Sequence, residues 1–280
     1  MIRTRLLLVV AAAALLASCS GVRLAYDNAD TFIRWRALQF LDIHGEAVDE
    51  LDERIAAFLR WHRAQELPLY AREADEAARR VARGLSPEDL LWGYDALVAR
   101  ARESARAAAE QMAPMLDRLS AAQVEHLQER LAEENRVFAR EYLRGSERER
   151  RERRSRRIIG RLEDWLGALS NAQVERVREY SARMPLIDEM RDRDNRRLQA
   201  EVVAMIRAGE AKRRLAGRVA HWELGRDPAY AAARAEAWRE FDRLLIDVDR
   251  LATAEQRARA VAELRRYAEE FRVLAARSAS

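Results

Sequence analysis

His62 is followed one helical turn later by Glu66, the spacing that lets two side chains on one face reach a common ion or share a proton. A metal site needs further ligands, and His44, His126 and His221 fall into no paired-ligand spacing. Two readings remain: a ligand or catalytic base at His62, or a core histidine whose ring is bonded to a protein group while Arg63 and Glu66 fix the turn before Pro68. The second is the expectation, with Trp61 packing alongside, Pro68 ending the helix, and no metal or cofactor bound. The acids Asp188, Glu189, Asp192 and Asp194 are placed to furnish paired carboxylates for glycoside hydrolysis. Arg191, Arg193, Arg196 and Arg197 interleave with them, so an ion-paired, solvated helix is the stronger reading. No nucleophile elbow, phosphate loop or dinucleotide glycine pattern is present, and no enzymatic activity is expected.

The most extreme composition lies at residues 144–157, where eight arginines and three glutamates give a net charge of +5. Glu147, Glu149 and Glu152 each precede an arginine by four residues, the favourable orientation for pairs within one helix. The segment reads as a solvated continuation of the helix that begins near Ser120, with Gly145 and Ser146 as its weak point. Alternatively, Arg148, Arg151, Arg153, Arg154, Arg156 and Arg157 form an arm for anionic envelope polymers or lipid phosphates, which guanidinium fits in bidentate fashion.

Cys19 is the only cysteine, and it closes the run Leu16-Ala17-Ser18-Cys19 behind an apolar stretch from Leu6 that Arg3 and Arg5 precede. A charged start and an apolar segment too short to span a bilayer describe a leader of secretory length. The run resembles the lipobox of bacterial lipoproteins. That resemblance implies a leader over residues 1–18, acylation of the Cys19 thiol and amino terminus, and outer-membrane sorting, since Ser20 rather than Asp follows the cysteine. Several acyl chains on one residue anchor it where a single chain does not. The domain layout expected from this is a leader, a lipid-anchored segment over 19–27, and one all-α periplasmic domain over 28–280.

Arg3 and Arg5 lie in the leader, so the mature chain would carry 49 strong bases against 47 acids, and no global basic field points to nucleic acid. With Cys19 acylated no thiol remains for a disulfide. Aromatics are only 7% and charged residues 35%, which suggests long amphipathic helices over a thin, alanine-rich core.

Apolar residues recur at three- and four-residue steps, as in Val48, Leu51, Ile55, Phe58 and His62, while no stretch alternates with period two. Helix starts are marked by capping boxes at Ser120 with Gln123, Ser170 with Gln173 and Thr253 with Gln256, and by Ser86 ahead of Pro87 and Asp89. These signals predict an all-α bundle, elongated and rich in charge, with helices near 28–43, 46–66, 69–83, 87–112, 120–158, 161–168, 170–183, 186–208, 211–224, 229–250 and 254–276. Pro68, Pro114, Pro185 and Pro228 are expected at the breaks.

Leu119-Ser120-Ala121-Ala122-Gln123 and Leu169-Ser170-Asn171-Ala172-Gln173 resemble the L-T-x-x-Q motif of small periplasmic helical chaperones and stress sensors of the Spy and CpxP type. Common capping chemistry explains the same letters. Trp61-His62-Arg63, Glu66-Leu67-Pro68 and Tyr70, after Val22 to Asn28, resemble an uncharacterised family of proteobacterial lipoproteins with the layout lipobox, W-H-R-x-x-E-L-P and long charged helices. The first resemblance implies binding of unfolded or envelope proteins; the second implies architecture and address. A tether contacting lipopolysaccharide or peptidoglycan is the competing expectation.

Overall fold

The computed structural model describes residues 21–277. Cys19 and the expected leader lie outside the described residues. Among those described, every regular element is helical. In order they are α1 (Gly21–Asp27), α2 (Ala29–Leu41), α3 (Glu46–Trp61), α4 (Leu67–Ala82), α5 (Pro87–Leu116), α6 (Ala121–Phe138), α7 (Glu147–Leu166), α8 (Asn171–Arg183), α9 (Asp188–Arg207), α10 (Ala211–Ala220), α11 (Pro228–Arg250) and α12 (Ala254–Ala276). Two π turns, His62–Glu66 and Ala139–Leu143, extend α3 and α6. No described helix is long and apolar enough to cross a membrane.

Three apolar clusters hold the helices together. Ala109 and Ala113 of α5, Val124 and Leu127 of α6, Val203 and Ile206 of α9 and Leu215 of α10 form one. A second joins Leu41 of α2, Leu51 and Ile55 of α3 and Met115 of α5, and shares Phe40, Leu116 and Leu119 with the first. The third joins Val177 and Tyr180 of α8 to Leu244 and Val248 of α11, with Ile158, Leu162 and Leu166 of α7 packed against it. Elsewhere α4 and α12 run side by side, and buried Ala71, Ala78 and Ala268 let them approach closely. Thin side chains suffice there because the spacing, rather than the bulk, excludes water.

Capping boxes begin five helices, at Ser86, Ser120, Ser146, Ser170 and Thr253. The three that end in glutamine do more than cap. Gln173 and Gln256 each accept from their own N-cap amide and also bond to one another reciprocally, at 3.0 and 3.1 Å, inside the fold. Gln123 likewise donates to the Asp42 carbonyl at 3.0 Å. A glutamate in these positions caps equally well but has no N–H for the second bond.

Four expectations are corrected. The helix predicted over 120–158 breaks: Arg144 is extended, Gly145 takes φ +90°, and Ser146 restarts the chain by bonding the Glu149 amide. Helix α7 then runs unbroken to Leu166, so the break predicted before 161 does not exist. Pro68 does not end its helix. Proline has no N–H to give Ala64, and the chain answers by widening the previous turn, with the Leu67 amide bonding the His62 carbonyl five residues back, so α3 passes through to α4. Pro114 likewise lies inside α5, whose last turn is held by packing in the second cluster.

Candidate functional site

Around His62 the structure gathers the sequence motif into a ring of aromatics. Tyr26, Phe58, Trp61 and Tyr70 stand with their centroids 5.5–6.2 Å from the imidazole. The Tyr26 hydroxyl and His62 Nδ1 share a 3.0 Å hydrogen bond, and Arg63 lies over the Tyr26 ring. Burial lowers the His62 pKa, so the ring is neutral at physiological pH. Glu66 is buried, its pKa raised by that burial and pulled back by Arg100, whose Nη1 donates to it at 3.3 Å. The Tyr70 hydroxyl bonds Ser104 at 3.3 Å. The geometry joins α1, α3, α4 and α5, and the two residues spaced as ligands serve separate partners. No group of three or more possible metal ligands occurs among the described residues.

The acidic cluster is also taken up in ion pairs. Glu189 accepts from Arg150 at 2.8 Å and Asp192 from Arg196 at 2.8 Å. Asp194, expected on a solvated face, is 1% exposed. It accepts from Arg226, Arg197 and the Asp227 amide at 2.7–3.0 Å. Burial pushes its pKa up, but the amide and the two guanidiniums outweigh it and hold the carboxyl below its ordinary value.

The arginines in the first half of α7 are largely taken up by the fold. Arg151 and Arg154 donate to the carbonyls that end α8, Arg154 reaching Ser181, Met184 and Pro185 at 2.6–2.9 Å. A cation is favoured there because the last carbonyls of a helix carry its negative end. Arg150 is buried against Glu189, Arg153 caps the Arg144 carbonyl, and Arg148 takes Glu152 at 3.3 Å. Of the three expected pairs within the helix only Glu147–Arg151 forms; Glu149 is committed to its cap and Glu152 to Arg148. Arg156 is exposed beside Ile159 and Arg178 in a separate shallow groove.

The second half of α7 opens into a groove of about 540 Å³ between α7, α8, α9 and α11. Its floor and walls are Ile158, Leu162, Trp165, Tyr180, Trp238 and Phe241. Arg154, Arg157, Arg161, Arg191 and Arg234 also line it, against a single acid, Asp188. Arg157 and Arg191 lie over the Tyr142 ring, at 4.8 and 5.9 Å, and Arg234 over Trp238 at 6.0 Å. Among the described residues, none of Arg157, Arg161, Arg191 and Arg234 has a carboxylate partner, although many other arginines there are paired. Burial depresses the Arg154 pKa, and the neighbouring Arg151 and Arg157 add like-charge repulsion. Asp188 acts on Arg154 only at longer range. The groove therefore combines apolar walls with uncompensated positive charge.

Of the arginines singled out in the sequence, only Arg154 and Arg157 reach this groove. Arg161 and Arg234 were missed, and Arg191, expected in ion pairs with the acidic cluster, lies over Phe138 and Tyr142 instead. One signal was available: Arg154, Arg157, Ile158, Arg161, Leu162 and Trp165 fall at three- and four-residue steps and so share a helical face.

The model of DUF6279, a family of unknown function, matches residues 39–221, well over half of the chain. No curated protein and no solved structure matches it.

Proposed function

The chain belongs to DUF6279, a family of unknown function, and we propose that it is a non-catalytic binding protein of the cell envelope that takes anionic amphiphiles in the arginine–aromatic groove. The observation that carries this reading is the convergence of four unpaired guanidiniums on an apolar cavity. A phosphate or carboxylate head would find bidentate donors at Arg157 and Arg161, while an acyl or aryl portion would lie against Leu162, Trp165, Trp238 and Phe241. The address is part of the same proposal: a lipid anchor on Cys19 would hold the protein on the periplasmic face of the outer membrane, among lipopolysaccharide and peptidoglycan. The non-catalytic reading is supported by the engagement of Glu189, Asp192 and Asp194 in ion pairs, which leaves no free carboxylate pair there for cell-wall hydrolysis.

Calorimetric titration with dodecyl phosphate below its micellar concentration tests the reading. Binding is expected, and it should weaken at least about ten-fold in the Arg157→Gln, Arg161→Gln double variant, since each charge-assisted bond contributes about 1.5–3 kcal/mol. Dodecyltrimethylammonium should not bind. Equal binding of both detergents, or no effect of the double variant, would overturn it.

A second reading, chaperone-like capture of exposed protein segments, draws on a different surface. Leu91, Tyr94 and Leu97 form an exposed stripe on α5, and Tyr94 meets Trp238 at the groove's edge with ring centroids 5.5 Å apart. The helices that begin with the L-S-x-x-Q motifs pack into different clusters, α6 into the first and α8 into the third, and their glutamines are used in tertiary bonds. Suppression of aggregation of a reduced client, lost in Leu91→Ser, Leu97→Ser but kept in the arginine variant, would favour this reading.

A further inference from the structure

Helix α2 is apolar on two faces, and the core covers only one of them. Ile33, Ala37, Leu38, Phe40 and Leu41 pack into the second cluster. On the other side Leu24 of α1 and Phe32 and Trp35 of α2 are 63%, 61% and 51% exposed, at steps of eight and three residues that keep them on one side. The ring centroids of Phe32 and Trp35 are 6.0 Å apart, and the Asn28 side-chain amide donates to the Leu24 carbonyl at 2.7 Å. A helix that is hydrophobic beyond its core stripe needs a second cover.

This outer face cannot swing away to find that cover within the chain. Three contacts clamp α1 to the body: Tyr26 to His62, Asp27 to Arg277 at 2.9 Å, and Arg23 to the buried Glu270 at 3.9 Å. Arg34 is held by Asp52 at 2.9 Å, and Arg36 by Glu134 at 3.2 Å. The stripe is thus presented outward, and its length from Leu24 to Trp35 is about 16 Å at 1.5 Å per residue.

We infer that this face rests in the interface of a lipid bilayer, with Leu24, Phe32 and Trp35 inserted at headgroup level. What selects a bilayer over another occupant is the position of Cys19, two residues ahead of Gly21; the inference rests on the anchor in the proposed address. An acylated Cys19 would put the start of α1 at the membrane surface, where aromatic and aliphatic side chains on an interfacial helix are favoured. Asp27 and Asp30 flank the stripe, so attraction to anionic lipid contributes little and apolar insertion carries the contact. Two-point attachment, by acyl chains and by this face, would fix the orientation of the domain and hence the direction in which the arginine groove opens.

The test uses the full mature chain, purified with its acyl chains and reconstituted into phosphatidylethanolamine–phosphatidylglycerol vesicles. Acylation of the only native thiol leaves an engineered cysteine as the sole labelling site. Spin labels at Leu24→Cys, Phe32→Cys and Trp35→Cys are expected to be relaxed several-fold more by oxygen than by a water-soluble nickel complex, with the reverse at the exposed Glu175→Cys on α8. Labels at all three positions that behave like Glu175→Cys, in protein that incorporates palmitate, would overturn this inference and leave the address intact. Dipolar broadening between copies in place of oxygen accessibility would make the face a homodimer contact and overturn it as well. Failure of the wild-type chain to incorporate palmitate would remove the address, and this inference with it.

Discussion

The two halves of α7 carry the same residue type under opposite conditions. On one, Arg150 and Arg151 are spent on Glu189 and on the carbonyls that close α8, so their charges are absorbed by the fold. On the other, Arg157 lies over the Tyr142 ring and Arg161 lines the same apolar groove, with Asp188 the one acid among its lining residues. Matching a charge stabilises the folded chain; leaving it unmatched beside apolar surface costs a little stability and creates a place for an anion. The contrast separates arginines that build the protein from arginines available to a ligand, and substitutions on the two sides should differ in kind.

The largest effect is expected where matching is complete and buried. Asp194→Ala leaves Arg226 and the Asp227 amide without this acceptor and Arg197 with the Gly225 carbonyl alone, and should cost about 3–5 kcal/mol in denaturant unfolding. Because the Asp194 carboxyl is held below its ordinary pKa, its contribution is present above the unfolded-state value and is lost as pH falls through the folded-state value. An Asp194→Asn variant should therefore flatten the acid limb of the stability curve. An unchanged acid limb would show that the cluster is solvated rather than buried.

Next comes the paired amide hub. Gln173→Ala removes a cap acceptor and both bonds to the buried Gln256, whose side chain keeps the Ala168 carbonyl and the Thr253 amide, for about 1–3 kcal/mol. Ser120→Ala and Ser170→Ala, which remove one N-cap bond each, should cost about 0.5–2 kcal/mol. If Gln173→Ala costs no more than Ser120→Ala in thermal unfolding, the tertiary bond between the two boxes contributes nothing.

His62→Ala should cost about 1–3 kcal/mol by leaving a cavity and an unpaired Tyr26 hydroxyl, with metal content unchanged. Its pH dependence has a definite sign. Burial lowers the His62 pKa, so the unfolded chain binds the proton first and stability falls as pH drops below about 6.5 toward the folded-state value. His62→Gln should lose that dependence. Stoichiometric zinc that disappears with His62→Ala would reopen the ligand reading.

The smallest stability effect belongs to the groove. Arg157→Gln and Arg161→Gln should shift stability by less than about 0.5 kcal/mol while weakening dodecyl phosphate binding. A large destabilisation instead would place these residues with Arg150 and Arg151, and the contrast between the two halves of α7 would collapse.

Reading the chain alone succeeds where the signal is local. A serine or threonine, with glutamine three residues on, caps a helix whatever surrounds it, and the boxes at Ser120, Ser170 and Thr253 sit at the starts of α6, α8 and α12. Ser146 with Glu149 carries the same letters, but the density of glutamate–arginine spacings around it suggests a continuous helix and hides the restart. Pro68 shows the reverse failure. The rule that proline ends a helix assumes an α turn before it, and a π turn at His62–Glu66 lifts that assumption.

The amino-acid sequence by itself determined that the described chain would be helical, where many of its helices begin, and why alanine and charge dominate it, because these follow from spacings within a few residues. Only the tertiary structure decided which charges are matched. Arg161, Arg191 and Arg234 stand on three helices far apart in sequence, and their convergence on one apolar groove depends on how α7, α9 and α11 cross. The same holds for Asp194, whose letters read as solvated surface until Arg226 and the Asp227 amide, more than thirty residues on, are packed against it. A partner one helical turn away, as Asp192 is for Arg196, follows from spacing along the chain, whereas a partner on another helix is a property of distance in space that no such spacing encodes.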